Sequence, residues 1–196
     1  MSKFIGFSGK KGSGKNNAAD MLSDYLASNK LSSYHVSFAH TLKSTCINLF
    51  GLNPELVFGD DNDKNTLTNI AWDNLPLEIR NKYSRSGAMT VREVLQVVGT
   101  DIFRNMFDND IWVKAAFNGL PDCDYIIFTD VRFPNEANAI KAKNGKVIRI
   151  NRPSNAVDVH ISETALDNYE FDLIISNTGT LLDLERSIKD IYGPTI

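Results

Sequence analysis

The chain has 196 residues, a formal net charge of −3, and 42% hydrophobic against 23% charged residues. That length fits one globular domain with a modest appended region, and the acidic balance argues against general nucleic-acid binding, which shows a basic face. The two cysteines, Cys46 and Cys123, have neither metal spacing nor a disulfide framework, and no apolar run is long enough to cross a bilayer or to make a signal peptide, so a cytoplasmic protein with reduced thiols is expected.

The first predicted element is a buried strand over Phe4 to Phe7. A glycine-rich turn follows it. From Ala18 the apolar residues Ala18, Met21, Leu22, Tyr25 and Leu26 fall on one helical face. Between strand and helix, Gly9-Lys10-Lys11-Gly12-Ser13-Gly14-Lys15 has the spacing G-x-x-x-x-G-K of a phosphate-binding loop. Gly9, Gly12 and Gly14 let successive N–H groups turn inward on phosphate oxygens. The positive end of the next helix adds to the attraction. Lys15 is placed to bridge β- and γ-phosphates. Gly9, Gly12, Ser13, Gly14, Lys15 and Asn16 are thus the candidate nucleotide-binding residues. The hydroxyl that usually follows the lysine and meets Mg²⁺ is replaced by Asn16, with Asn17 next. An amide oxygen can ligate Mg²⁺, or a water can intervene.

Tyr34 to Ala39 predicts a second strand and His40 to Phe50 a helix. Residues 51–90 carry Gly, Pro, Asp and Asn, and predict irregular structure with short helices; an excursion of that length is more often functional than idle. Thr90 and Glu93 form a capping box ahead of the stripe Val91, Val94, Leu95 and Val98, and Gly99 is expected to end that helix. Asp101 to Phe107 and Asp110 to Asn118 predict two more helices. Tyr125 to Asp130 is a near-continuous apolar run, expected to be a central parallel strand buried on both faces. A helix over Glu136 to Asn144, closed by Gly145, and a strand over Lys146 to Ile150 follow. After a polar segment, 151–168, come a strand over Phe171 to Ser176 and a helix over Leu181 to Tyr192. The alternation predicts a three-layer α/β/α sandwich with a central parallel sheet, as a single domain over 1–196.

In such sheets ligands gather beyond the carboxyl ends of the strands. Asp130 ends the strongest strand and is a candidate for holding Mg²⁺, favoured because strand and phosphate loop agree; the alternative is a helix N-cap or a salt bridge to Arg132. Arg92 and Arg132 are candidate phosphate ligands, since guanidinium groups bind phosphate bidentately and keep their charge. Gln96 stands one helical turn from Arg92 and is suited to a base edge. Arg149 and Arg152 flank a strand end just before the polar segment, which could close as a lid and exclude water. His160 and Glu163 within it could equally be an exposed polar pair. Asn177, Thr178 and Gly179 could meet a purine ring or simply make a turn.

Taken in order, these residues resemble the phage-type deoxynucleoside monophosphate kinases, within the P-loop nucleoside monophosphate kinase superfamily. The resemblance rests on Val91-Arg92-Glu93-Val94-Leu95-Gln96-Val97-Val98-Gly99-Thr100-Asp101, Trp112-Val113-Lys114, Thr129-Asp130-Val131-Arg132 with Glu136, Arg152-Pro153 followed by His160-Ile161-Ser162-Glu163, and Asp172 to Asn177 with Gly179. It implies a P-loop kinase fold with an acceptor-binding helical region near 40–120 and a lid near 151–168. It implies transfer of the ATP γ-phosphoryl group to a deoxynucleoside 5′-monophosphate, for DNA precursor synthesis, with ATP as co-substrate and Mg²⁺. Lys15, Arg132, Arg152 and Asp130 would be catalytic, with His160 approaching the phosphates as the lid closes. Asn177 would join the nucleotide site. Arg92, Gln96, Thr100, Asp101 and Trp112 would shape the acceptor site, and Asn16 and Asp130 would meet the metal. The family pattern has a threonine where this chain has Asn17. No stable nucleic-acid or membrane partner is expected, a homodimer is left open, and the location would be the host cytoplasm if the chain is phage-encoded. Two other readings stay open: a related kinase acting on a hydroxyl of a small molecule or modified DNA base, with Asp130 or Asp101 as base, and a nucleotide-binding protein without catalysis.

Overall fold

The structure is a computed structural model that describes residues 2–153 and 161–192. It divides into two compact units, residues 1–38 with 116–196, and residues 39–115.

The first unit is built on five parallel strands: β1 (Lys3–Ser8), β2 (Ser33–Val36), β5 (Tyr125–Val131), β6 (Lys146–Asn151) and β7 (Leu173–Ser176), in the order β2-β5-β1-β6-β7. β1 is therefore the middle strand, and β5 lies between it and β2. Alternation along β1 divides the packing. Ile5 and Phe7 join a core with Ala18, Leu22 and Leu26 of α1 (Lys15–Ser28) and Leu184 and Ile188 of α10 (Leu181–Tyr192). Phe4 faces the other way, with its ring 6.0 Å from that of Phe117. Phe117 and Phe38 each lie 4.9 Å from the ring of Phe128, and α8 (Pro134–Lys141) packs against β1 and β6. Helices on both faces of a parallel sheet make the expected three layers.

Local departures from expectation have local causes. β2 ends at Val36, because the next residues turn into α2 (Phe38–Phe50); the Asp130 carboxylate accepts from Ser37 Oγ and Phe38 N at 2.7 and 2.8 Å and caps that helix. The turn after α8 places Asn144, not Gly145, in the left-handed region at φ 56°. Gly145 serves close packing instead: a Cβ there would lie 2.6 Å from the Phe4 carbonyl oxygen. β7 starts at Leu173, after Asp172 has turned to accept from Val147 N through its carboxylate.

The second unit holds α3 (Pro54–Phe58), α4 (Asp61–Lys64), α5 (Leu77–Tyr83), α6 (Val91–Gln96), most of α2, and all but the end of α7 (Ile111–Phe117). The 51–90 stretch is more ordered than its composition predicts. It contains an antiparallel pair, β3 (Leu67–Ala71) and β4 (Ala88–Thr90), that the sequence did not announce. Cys46, Leu52, Val57, Trp72, Ile79, Met89, Val91, Val94 and Val98 form its core. Burial pushes the Cys46 thiol up to about 12, so it is an inert core residue. The Thr90–Glu93 capping box is present, with Glu93 N donating to Thr90 Oγ1 at 3.2 Å and Thr90 N to Glu93 Oε2 at 2.8 Å.

Gly99 does not end the helix. The chain continues from α6 into a wider π-helical segment, Val97–Phe107, which absorbs the helix expected at Asp101. The glycine is a packing requirement: a Cβ there would lie 2.5 Å from Leu42 Cδ2 on α2. Extended π-helical turns are rare and are found most often at functional sites.

Candidate active site

The phosphate loop sits at the carboxyl end of β1, where it turns into α1. Gly14 holds φ 99°, a left-handed conformation that a side chain would resist, and a Cβ there would lie 2.6 Å from Asn177 Nδ2. Gly9 makes room for its neighbours: a Cβ there would lie 2.3 Å from Ser13 Oγ and 2.6 Å from the Ile150 carbonyl oxygen. Ser13 N donates to Lys10 O at 3.1 Å and closes the loop on itself. Ser13 Oγ is buried and has no hydrogen-bond partner among the described residues. An orphaned hydroxyl in a glycine-rich loop is a donor suited to an acceptor such as a phosphate oxygen.

Lys15 is 8% exposed and folds back on the loop, donating to Gly9 O at 2.6 Å and Lys10 O at 2.9 Å. Burial lowers its pKa to about 8, the Arg132 guanidinium adds to the shift, and Glu163 and Asp130 oppose it. A cation so poorly solvated gains strongly from an incoming polyanion.

The surrounding groups come from the strand ends. Glu136, 2% exposed, accepts from Arg132 N at 2.7 Å and Phe133 N at 3.1 Å and fixes the turn after β5. Arg132 then reaches Glu163, which also accepts from the loop amide Lys11 N at 2.9 Å. The Glu163 side chain is not exposed, at 8%. His160 itself lies outside the described residues. Arg149 is buried and donates to Ser8 Oγ at 3.2 Å, at the root of the loop. Arg152 is exposed just beyond β6. Asn177 is buried and its Nδ2 donates to Ser13 O at 2.9 Å, so it braces the loop rather than presenting its amide nitrogen to a purine.

Asn16 is exposed in the first turn of α1. Both Asp130 oxygens carry a hydrogen bond from the start of α2, the N-cap alternative seen in the sequence. Among the described residues no group of three or more His, Cys, Asp or Glu could hold a metal ion. Mg²⁺ that arrives on nucleotide phosphates and keeps its waters needs only one or two protein oxygens, which the side chains here can provide.

The candidate acceptor residues are all on the second unit. Arg92 opens α6 and pairs with Asp61 of α4, with Asn65 Oδ1 3.4 Å from its Nε. Gln96 and Thr100 are half-buried. Asp101 is buried, and its two oxygens accept from Lys82 Nζ at 2.6 Å and Tyr83 Oη at 2.7 Å. Burial first, and that hydrogen bond second, raise the Tyr83 phenol pKa. Trp112 is buried, donates through Nε1 to Gly99 O at 2.9 Å, and lies 5.3 Å from the Phe103 ring. It shapes the π-helical segment through packing. Lys82, Tyr83 and Asp61 were not singled out by sequence, because their partners lie 18 to 31 positions away.

A strand–glycine-loop–helix at the edge of a parallel α/β/α sandwich, with convergent cations, defines a P-loop kinase, a phosphotransferase. The model of the family described as deoxynucleotide monophosphate kinase matches residues 36–188. A putative deoxynucleotide monophosphate kinase of Acanthamoeba polyphaga mimivirus is 33% identical over 200 residues, covering 94% of this chain and 93% of that protein. The deoxynucleotide monophosphate kinase of Enterobacteria phage T4 is 33% identical over 139 residues, and that of Escherichia phage RB69 36% identical over 108 residues. Those matches cover 67% and 52% of this chain and 56% and 44% of the two phage proteins. The chain belongs to the deoxynucleotide monophosphate kinase family. Among solved structures, the Mycobacterium tuberculosis APS kinase aligns over 98% of this chain and 97% of its own at 12% identity and TM-score 0.43. Shikimate kinase from Aquifex aeolicus aligns over 98% of both chains at 12% identity and TM-score 0.41.

Proposed function

We propose that the chain transfers the γ-phosphoryl group of ATP to the 5′-phosphate of a deoxynucleoside monophosphate, giving a diphosphate and ADP. The observation that carries this is the cradle itself: a buried Ser13 Oγ, without a partner among the described residues, close to a desolvated Lys15 at the end of β1. The acceptor phosphate is already a nucleophile at neutral pH, so no strong general base is needed. Catalysis then rests on position and charge. Lys15 leaves the carbonyls of Gly9 and Lys10 and follows the β- and γ-phosphates. Arg132, with Arg152 further along the chain, offsets charge on the transferring group. Arg92 takes the acceptor phosphate in exchange for Asp61, and Gln96 and Thr100 meet the sugar or base. Asp101 fixes Lys82 and Tyr83 on the same unit. Asn16, or Asp130 through a water while it caps α2, would meet Mg²⁺, which would supply further charge neutralisation at the phosphates.

The carboxylates that would serve a hydroxyl acceptor as base are committed elsewhere, Asp130 to the α2 cap and Asp101 to Lys82 and Tyr83. This favours a phosphate over a hydroxyl as acceptor. The test is a panel of deoxy- and ribonucleoside monophosphates assayed for ADP formation with ATP and Mg²⁺. Turnover that depends on a deoxynucleoside monophosphate is expected; ATP turnover indifferent to any acceptor would contradict it.

A further inference from the structure

We infer that Glu163, assisted by Asp167, is a carboxylate latch that occupies phosphate-type donors of the loop and must be displaced for the triphosphate to bind. The inference rests on the loop being the triphosphate site. Glu163 occupies two donors of the kind a phosphate would use. Its Oε2 accepts from the loop amide Lys11 N at 2.9 Å, and its Oε1 accepts from the Arg132 guanidinium. Both are charge-assisted contacts, the strong class of hydrogen bond. Asp167 repeats the arrangement more weakly, taking Lys10 Nζ at 3.2 Å and Arg149 Nη2 at 3.4 Å. Its side chain is 40% exposed against 8% for Glu163, so solvent screens it and Glu163 dominates.

The two carboxylates come from one short segment. α9 (Ile161–Thr164) carries Glu163, Ala165 N closes a turn on Ile161 O at 2.9 Å, and Leu166 is buried at 2% exposure. Leu166 anchors the segment to the first unit, so the exchange needs rotation of acidic side chains rather than loss of the segment. The latch accounts for a feature the proposed chemistry does not need, which is two anionic groups set against the cations of a polyanion site. It satisfies a loop amide and a guanidinium, and every phosphate that binds must outcompete it. Charge at Glu163 therefore weakens nucleotide affinity and favours release.

The experiment is calorimetric titration of the full chain with tripolyphosphate and, separately, with the β,γ-imido analogue of ATP in Mg²⁺. Wild type, Glu163→Gln and Lys15→Ala are compared. Glu163→Gln keeps the shape and removes the charge, and both probes are expected to bind roughly tenfold more tightly, the worth of one charged hydrogen bond. Unchanged or weaker binding of both probes overturns the latch and leaves Glu163 as a support for Arg132. If Lys15→Ala binds the analogue as well as wild type does, the phosphates lie elsewhere and the underlying reading fails as well. Should Glu163→Gln not fold, Asp167→Asn serves in its place. It is expected to tighten both probes about twofold, because screened pairs contribute less, and no tightening there overturns the latch equally.

Discussion

Lys15 shows how burial tunes one cation toward an anionic ligand. Held on two carbonyls and stripped of water, it titrates near 8 rather than at the usual lysine value of 10.5. Burial of a cation without a full counter-charge favours the neutral amine. A bound triphosphate reverses that preference and raises the pKa. As pH rises through about 8 the free protein loses the Lys15 proton, whereas a bound triphosphate would keep the ammonium charged, so nucleotide binding should take up a proton. Affinity should then fall as pH rises through 8. Calorimetry of ATP-analogue binding in buffers of different ionisation enthalpy reads this uptake directly; a binding heat independent of buffer, or affinity rising above pH 8, would contradict it. Lys15→Ala should abolish the uptake and lower kcat by roughly 10²–10³, the usual loss for one preorganised donor. On the second unit, Arg92→Ala should raise KM for the monophosphate more than for ATP, read from initial rates with each substrate varied; the opposite split would exchange the two sites.

Elements are positioned here by contacts that reach across the sequence. Asn177 follows β7, yet its amide carries the carbonyl of Ser13, 164 positions earlier. Asn177→Ala leaves that buried carbonyl unpaired and should cost about 1–3 kcal/mol by denaturant unfolding, with a weakened phosphate loop. Gly14→Ala at φ 99° meets both backbone strain and Asn177 Nδ2, and should cost about 2 kcal/mol. In the second unit Thr90→Ala removes one side of the capping box and should cost about 1 kcal/mol. Wild-type midpoints in these variants would show the contacts to be idle. The same elements mark what sequence could show. β1, α1, the Thr90–Glu93 cap and α10 were legible because apolar period, turn chemistry and capping agreed. The β3–β4 pair was not, since its strands are five and three residues long and largely not buried. Gly99 misled because glycine signals either a left-handed cap or a close approach, and only the position of Leu42 distinguishes the two.

Across the whole molecule, alternation of continuous apolar strands with amphipathic helices was enough to give the layered parallel sheet, because that pattern has few other solutions. The loop residues at 9–15 were legible for the same reason: strand, glycines and helix are consecutive. Glu163, Asp167 and Lys82 were not, since their roles depend on partners far along the chain, such as Arg132 and Lys11 at 31 and 152 positions from Glu163. Among the described residues no helix is long and apolar enough to cross a membrane. Membership of the deoxynucleotide monophosphate kinase family agrees with the loop, although the family model begins at residue 36, beyond it. The loop is therefore where the account is most exposed, and a crystal structure of the chain with a non-hydrolysable ATP analogue and a deoxynucleoside monophosphate tests it most directly. β-Phosphate oxygens are expected on the amides of Gly12, Gly14 and Lys15 and on Ser13 Oγ, with Lys15 Nζ drawn off Gly9 O onto the phosphates. Bound nucleotide elsewhere, with those amides empty and Lys15 still on its two carbonyls, would contradict it.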